Sequence, residues 1–131
     1  MQFQLLFESW KDVQVYASES IVYNEGDPAE VLYFIISGEV NLTLRDELLG
    51  TEIAGGIIGE MAMIKSATQC ATATAASEVK LARLDRKQLK QLVKSNNGFS
   101  IHVMAALAKR LKAVDHFISE QFVPGDHRTG I

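Results

Sequence analysis

The chain has 131 residues, of which 47% are apolar and 22% charged, with a formal net charge of -3. That length fits one domain, and that apolar share excludes a disordered chain. The single cysteine, Cys70, excludes an internal disulfide, and no Lys/Arg cluster is dense enough for a nucleic-acid footprint. Lys109, Arg110 and Lys112 sit together and read as the solvated side of a helix. The start, "MQFQLLFESWKD", lacks a basic region followed by a long apolar stretch, so no secretory leader is expected. The apolar runs fall far short of a membrane span. A soluble, cytoplasmic protein without a membrane or direct nucleic-acid partner is the expectation.

The first ten residues are mixed and fit either a short helix or an irregular arm. From Val13 the texture becomes β. "VQVYA", "SIVYNEG", "VLYFIISG" and "EVNLTL" are short runs rich in β-branched and aromatic residues. In the last of these, Val40, Leu42 and Leu44 alternate with Glu39, Asn41 and Thr43, the pattern of a half-buried strand. Breaks fall at Asn24 to Pro28, Ser37-Gly38, Arg45 to Glu47 and Gly55-Gly56. "TATAASEVKLARL" continues the β texture, and strands at this spacing predict a barrel or sandwich.

At Asp85 the period changes. Leu89, Leu92 and Val93 follow at helical spacing, with Asp85 as N-cap and Asn97-Gly98 closing the helix. A longer helix is predicted from about Phe99 to Ile118. The tail "VPGDHRTGI" carries Pro, Gly and charges. The expected division is one domain over residues 1–118 and a disordered tail over 119–131.

Two stretches carry possible chemistry. In "NEGDPAEVLYFIISGEV", Gly26, Gly38 and Asp27-Pro28 fit turns. In "GIIGEMAMI", Gly59 permits close approach of the backbone to a ligand. The amides of Glu60, Met61 and Ala62 at the start of a short helical turn favour an anion, and Glu60 can accept hydrogen bonds from a sugar hydroxyl. By residue type alone, a solvated glutamate after a tight turn explains the same letters.

Order and spacing then add context. "EGDPAEVLYFIISGEVNL", "IIGEMAMI", a small-residue strand and two helices, spanning about Val22 to Val114, resemble the cyclic nucleotide-binding domain superfamily, the catabolite activator protein-like ligand module. The resemblance implies a mainly β fold with flanking helices, a jelly-roll (double-stranded β-helix) barrel followed by two C-terminal helices. It implies a ligand, cAMP or cGMP, between the barrel and the last helix.

The resemblance further implies a phosphate-binding cassette at Gly59, Glu60, Met61 and Ala62, with Glu60 on the ribose 2′-hydroxyl and the Met61 and Ala62 amides on the cyclic phosphate. The family's phosphate-binding arginine falls at Gln69, followed by Cys70. Glutamine lacks the forked, charge-assisted pairing of arginine. The cassette is thus degenerate. With a hydrogen bond to a charged group worth ~1.5–3 kcal/mol, binding is expected to be weaker by about ten- to a hundredfold or absent. Lys65 is the only nearby cation in the sequence.

Cys70 reads as a small buried hydrophobe, since a reactive thiolate needs nearby cations or a helix N-terminus. His102 and His116 are fourteen residues apart on one predicted helix and do not share an ion; no metal site, other cofactor or catalytic residue is expected. Met104, Leu107, Leu111, Val114 and Ile118 follow steps of three, four, three and four, a seam for a homodimer, while Val103, Ala106, Ala113 and Phe117 form a second face. Two functions fit: a stand-alone, non-catalytic sensor whose ligand repositions the last helix for an effector protein, or a ligand-silent dimerisation or interaction module.

Overall fold

A computed structural model describes residues 3–121. The chain opens with α1 (Gln4–Glu8), a five-residue helix. Eight strands follow: β1 (Val13–Tyr16), β2 (Ile21–Tyr23), β3 (Val31–Ser37), β4 (Glu39–Leu44), β5 (Glu47–Ile53), β6 (Ile57–Ile58), β7 (Thr72–Ala75) and β8 (Val79–Asp85). A 3-10 helix, Glu60–Met63, interrupts them between β6 and β7. Two helices end the described chain, α2 (Arg86–Ser95) and α3 (Asn97–Gln121).

The strands form two four-stranded antiparallel sheets, ordered β1-β8-β3-β6 and β2-β7-β4-β5. This is the expected jelly-roll architecture with helices at its ends. β3 explains why two cores are needed. Its run "VLYFIIS" is buried on both faces from Leu32 to Ile36. Leu32, Phe34 and Ile36 face a core shared with Phe3, Phe7, Phe99 and Val103. Tyr33 and Ile35 face the space between the sheets, with Val40, Leu42, Ala73, Ala75 and Leu81. Arg45 (φ 51°) and Asp46 (φ 67°) both take left-handed backbone and close the β4–β5 hairpin.

α1 settles the choice left open for the first residues. Phe7 is fully buried and stacks on Phe34 with ring centroids 4.3 Å apart. Asp85 caps α2 as expected. Its Oδ1 accepts from the Gln88 amide at 2.8 Å, while the Asp85 amide donates to Gln88 Oε1 at 2.9 Å.

Asn97-Gly98, expected to close α2, instead begins α3. Asn96 is the C-cap of α2, and its Oδ1 accepts from the Phe99 amide at 3.3 Å, so one residue ends one helix and starts the next. Burial of Phe99 fixes that sharp corner. α3 also extends to Gln121 instead of stopping at Ile118. Of the disordered tail expected over 119–131, residues 119–121 instead continue α3, and the rest lies outside the described residues.

Candidate functional site

The cassette is built where β6 meets the 3-10 helix. Gly59 is its N-cap, at φ 74°. An added Cβ there would lie 3.0 Å from the Val31 carbonyl oxygen and from a Tyr33 ring carbon, so positive φ and close packing both call for glycine. The Gly59 amide donates to Tyr23 Oη at 3.0 Å. Burial, then the nearby Glu60 carboxylate, pushes the Tyr23 phenol far above its usual range, so it stays protonated. The Ala62 amide donates to the Gly59 carbonyl at 3.0 Å and is therefore committed within the turn.

Glu60 is not the solvated residue that composition alone allows. It is 3% exposed. Its Oε1 accepts from Arg110 Nε at 2.8 Å, and Arg110 comes from α3. Arg110 also donates through Nη1 to Glu52 Oε2 at 3.1 Å and through Nη2 to the Ile57 carbonyl at 3.0 Å. The arginine thereby ties α3 to the cassette, to β5 and to β6. Gly56 makes room for this arrangement, since a Cβ there would lie 2.8 Å from Glu52 Oε1. Lys109 reaches the same Glu52 oxygen at 3.1 Å from an exposed position; screening by water keeps that contact weak.

Arg110 was expected on the wet side of the helix; at 8% exposure it is buried. The reason is geometric. Val103, Leu107, Arg110 and Val114 follow steps of four, three and four and share the face turned to the barrel. Burial lowers the pKa of Arg110, but the Glu60 and Glu52 carboxylates outweigh it and the net shift is upward. Burial is also the largest influence on Glu60. It raises the carboxyl pKa above its ordinary value, against the pull of Arg110. Glu52 was not among the expected site residues. Nothing in "ELLGTEI" marks it, because its partner is 58 positions away.

A cleft of about 360 Å³ opens between the cassette and α3. Glu60, Met61 and Cys70 line one side and Leu107, Arg110, Leu111 and Val114 the other. Among the described residues that line it, the charged groups are Glu60 and Arg110, which are already paired with each other. Five of the six expected site residues thus gather around the 3-10 helix and the cleft. Gln69 does not line the cleft. It is 5% exposed and lines a separate cavity of about 290 Å³, with Tyr23, Asp27, Glu30, Tyr33 and Arg83. Its backbone is pinned to the Gly26–Asp27 turn: the Gln69 amide donates to the Asp27 carbonyl, and the Gly26 amide to the Gln69 carbonyl, both at 2.8 Å.

Cys70, expected to be buried, is exposed. It precedes β7 in an irregular segment instead of lying in the strand, so no sheet neighbour covers it. Partial desolvation, then the Glu60 carboxylate, pushes its thiol up, which disfavours a thiolate. His102 is half-buried, with Nε2 2.7 Å from the Gly55 carbonyl oxygen. Among the described residues no group of His, Cys, Asp and Glu could hold a metal ion, and no helix is long and apolar enough to cross a membrane.

The sequence pattern of one family, the cyclic nucleotide-binding domain, matches residues 13–96. The chain belongs to the cyclic nucleotide-binding domain family. This match takes in both sheets, the cassette and α2, and stops before α3. A relative from Pasteurella multocida (strain Pm70), the cAMP-activated global transcriptional regulator CRP, is 29% identical over 119 residues, covering 86% of this chain and 57% of its own. The CRP of Escherichia coli O6:H1 is 28% identical over 112 residues, 81% of this chain and 53% of its own. The chain therefore spans about half the length of these curated relatives.

Among solved structures, the c-di-GMP responsive global regulator CLP of Xanthomonas campestris superposes with a TM-score of 0.75 at 24% identity, covering 91% of this chain and 63% of that one. The catabolite activator protein of Thermus thermophilus gives 0.70 at 24% identity, with 91% and 59% covered. These likenesses show the cyclic nucleotide-binding fold. The relatives are named as transcriptional regulators, so the comparison lends no support to the expected absence of a nucleic-acid partner.

Proposed function

We propose that this domain is a non-catalytic regulatory module whose cleft takes a cyclic nucleotide weakly, and whose last helix responds through Arg110. The observation that carries this reading is the Glu60–Arg110 pair. The carboxylate that the family resemblance assigns to a sugar hydroxyl is here bonded to the helix that would move. A ligand competing for Glu60 would change the hold on α3, and by linkage the position of α3 would change ligand affinity by the same factor.

A second reading has its own support. Arg110 is already bonded to Glu60, Glu52 and the Ile57 carbonyl, and neutral Gln69 lies outside the cleft. On that reading the pocket is closed to anions, and the fold serves a homodimer or an effector protein.

Calorimetric titration with cAMP and cGMP separates the two readings. Weak or undetectable binding by wild type, and a gain of about ten- to a hundredfold in Gln69→Arg, support the sensor. No gain in a folded Gln69→Arg variant favours the silent module.

A further inference from the structure

Away from the cleft, a groove of about 480 Å³ runs along α2. Met63, Leu89 and Val93 form its apolar part, and Arg86, Lys87, Lys90 and Lys94 surround them. Met63 is 40% exposed, and the adjoining Ile64 is 55% exposed. The sequence of α2, "RKQLKQLVKS", holds four cations and no carboxylate, in a chain whose net charge is -3. Lys87, Lys90 and Lys94 are exposed and take part in no ion pair among the described residues. Asp85, just before the helix, spends its Oδ1 on the Gln88 amide. Arg86 Nη1 donates to the Met63 carbonyl at 3.2 Å, which joins α2 to the end of the 3-10 helix that carries Glu60.

Concentrated positive charge on an acidic chain, laid around an apolar floor, has two physical requirements. The cations favour an anionic surface, and the floor favours apolar side chains at helical spacing. A phosphate backbone or simple counterion meets only the first. A neutral hydrophobic helix meets only the second, and leaves the lysines unmatched.

We propose that the α2 groove docks an acidic amphipathic segment of a separate protein. Its apolar face rests on Met63 and Val93, and its carboxylates face Lys87, Lys90 and Lys94. Because Met63 ends the cassette's 3-10 helix, the docked segment touches the element that holds Glu60. The proposal does not depend on which ligand, if any, fills the cleft.

The test uses a fluorescein-labelled helical peptide with leucines at i, i+3, i+4 and i+7 and glutamates beside them, read by anisotropy on the whole chain. Saturable binding is expected, weaker at high salt. It should fall about tenfold or more in Lys87→Glu/Lys90→Glu/Lys94→Glu, and likewise when the peptide's glutamates become glutamines. The three lysines are exposed, so the variant should fold, and circular dichroism melting confirms that it has. Absence of binding, or equal affinity for the folded variant, overturns the proposal. So does preference for phosphatidylserine vesicles over the peptide, or self-association of the chain through this groove that the variant abolishes.

Discussion

Arg110 decides more about this molecule than any other side chain. It satisfies two buried carboxylates and a buried carbonyl from three different elements. Removing one partner of such a group leaves uncompensated buried charge. Arg110→Ala is accordingly expected to lose about 3–5 kcal/mol of stability in chemical denaturation. A loss near that of an ordinary surface substitution would mean that the carboxylates find water instead.

Glu60 gives a second, signed prediction. Its pKa is raised in the folded chain above the ordinary 4.5, chiefly by burial. An acid with a raised folded pKa takes up its proton in the folded state first. Its charge opposes folding above the folded value, and that cost disappears as pH falls through the window down to 4.5. The melting temperature of wild type should therefore rise relative to that of Glu60→Gln as pH is lowered through this window. The opposite slope would show that the pairing with Arg110 outweighs burial.

At the scale of elements, α3 serves two surfaces. Val103 is buried, and Ala106 and Leu107 pack on the helical core, so this face belongs to the domain. Met104, Leu111 and Ile118 are 58%, 72% and 45% exposed. Leu107 and Val114, also assigned to the expected seam, are half-buried and turn toward the cleft. The seam is therefore a narrow stripe beside the domain's own packing face. The side chain of Phe117 lies outside the described residues. A homodimer through this stripe, which we propose by analogy with the family, predicts that Leu111→Glu dissociates it in sedimentation velocity. Monomeric wild type at high micromolar concentration would contradict the dimer, while the packing of α3 on its own barrel would stand.

Elements with a local signal were readable in the letters. The "EVNLTL" alternation became β4, and the Asp85 cap became a capping box. Gly59 could be placed because a turn of that kind constrains its own neighbours. Contacts across the fold were not readable in this way. The bond from Arg110 to Glu60 spans 50 positions and that to Glu52 spans 58, and no short window contains both partners. A signal for Arg110 did exist, in its spacing from Val103, Leu107 and Val114, but a charged residue among lysines reads as solvated until its partners are known. Cys70 was misplaced for a similar reason: its neighbours in sequence resemble a strand that begins only at Thr72.

At the scale of the whole molecule, the first turns of α3 pack into the core through Phe99 and Val103, and the part beyond Leu107 meets the barrel through fewer buried groups. Beyond Leu107, Arg110 is the only buried residue of α3 among those whose side chains are described. The tie between cassette and helix is what couples the two. It is most directly tested by hydrogen exchange on a variant in which the tie is removed without leaving a buried charge, Arg110→Met/Glu52→Gln/Glu60→Gln. Replacing a buried ion network by well-packed apolar residues of similar volume is often close to neutral, and denaturant unfolding establishes that this variant, with its two glutamines, is still folded. The amides of residues 104–118 should exchange about tenfold faster or more than in wild type, a change of about 1.4 kcal/mol in local opening, while those of β3 and β8 hold their protection. Unchanged protection across α3 in the folded variant would contradict the account, because the helix would then be held by its apolar face alone and Arg110 would carry nothing from the cassette to it.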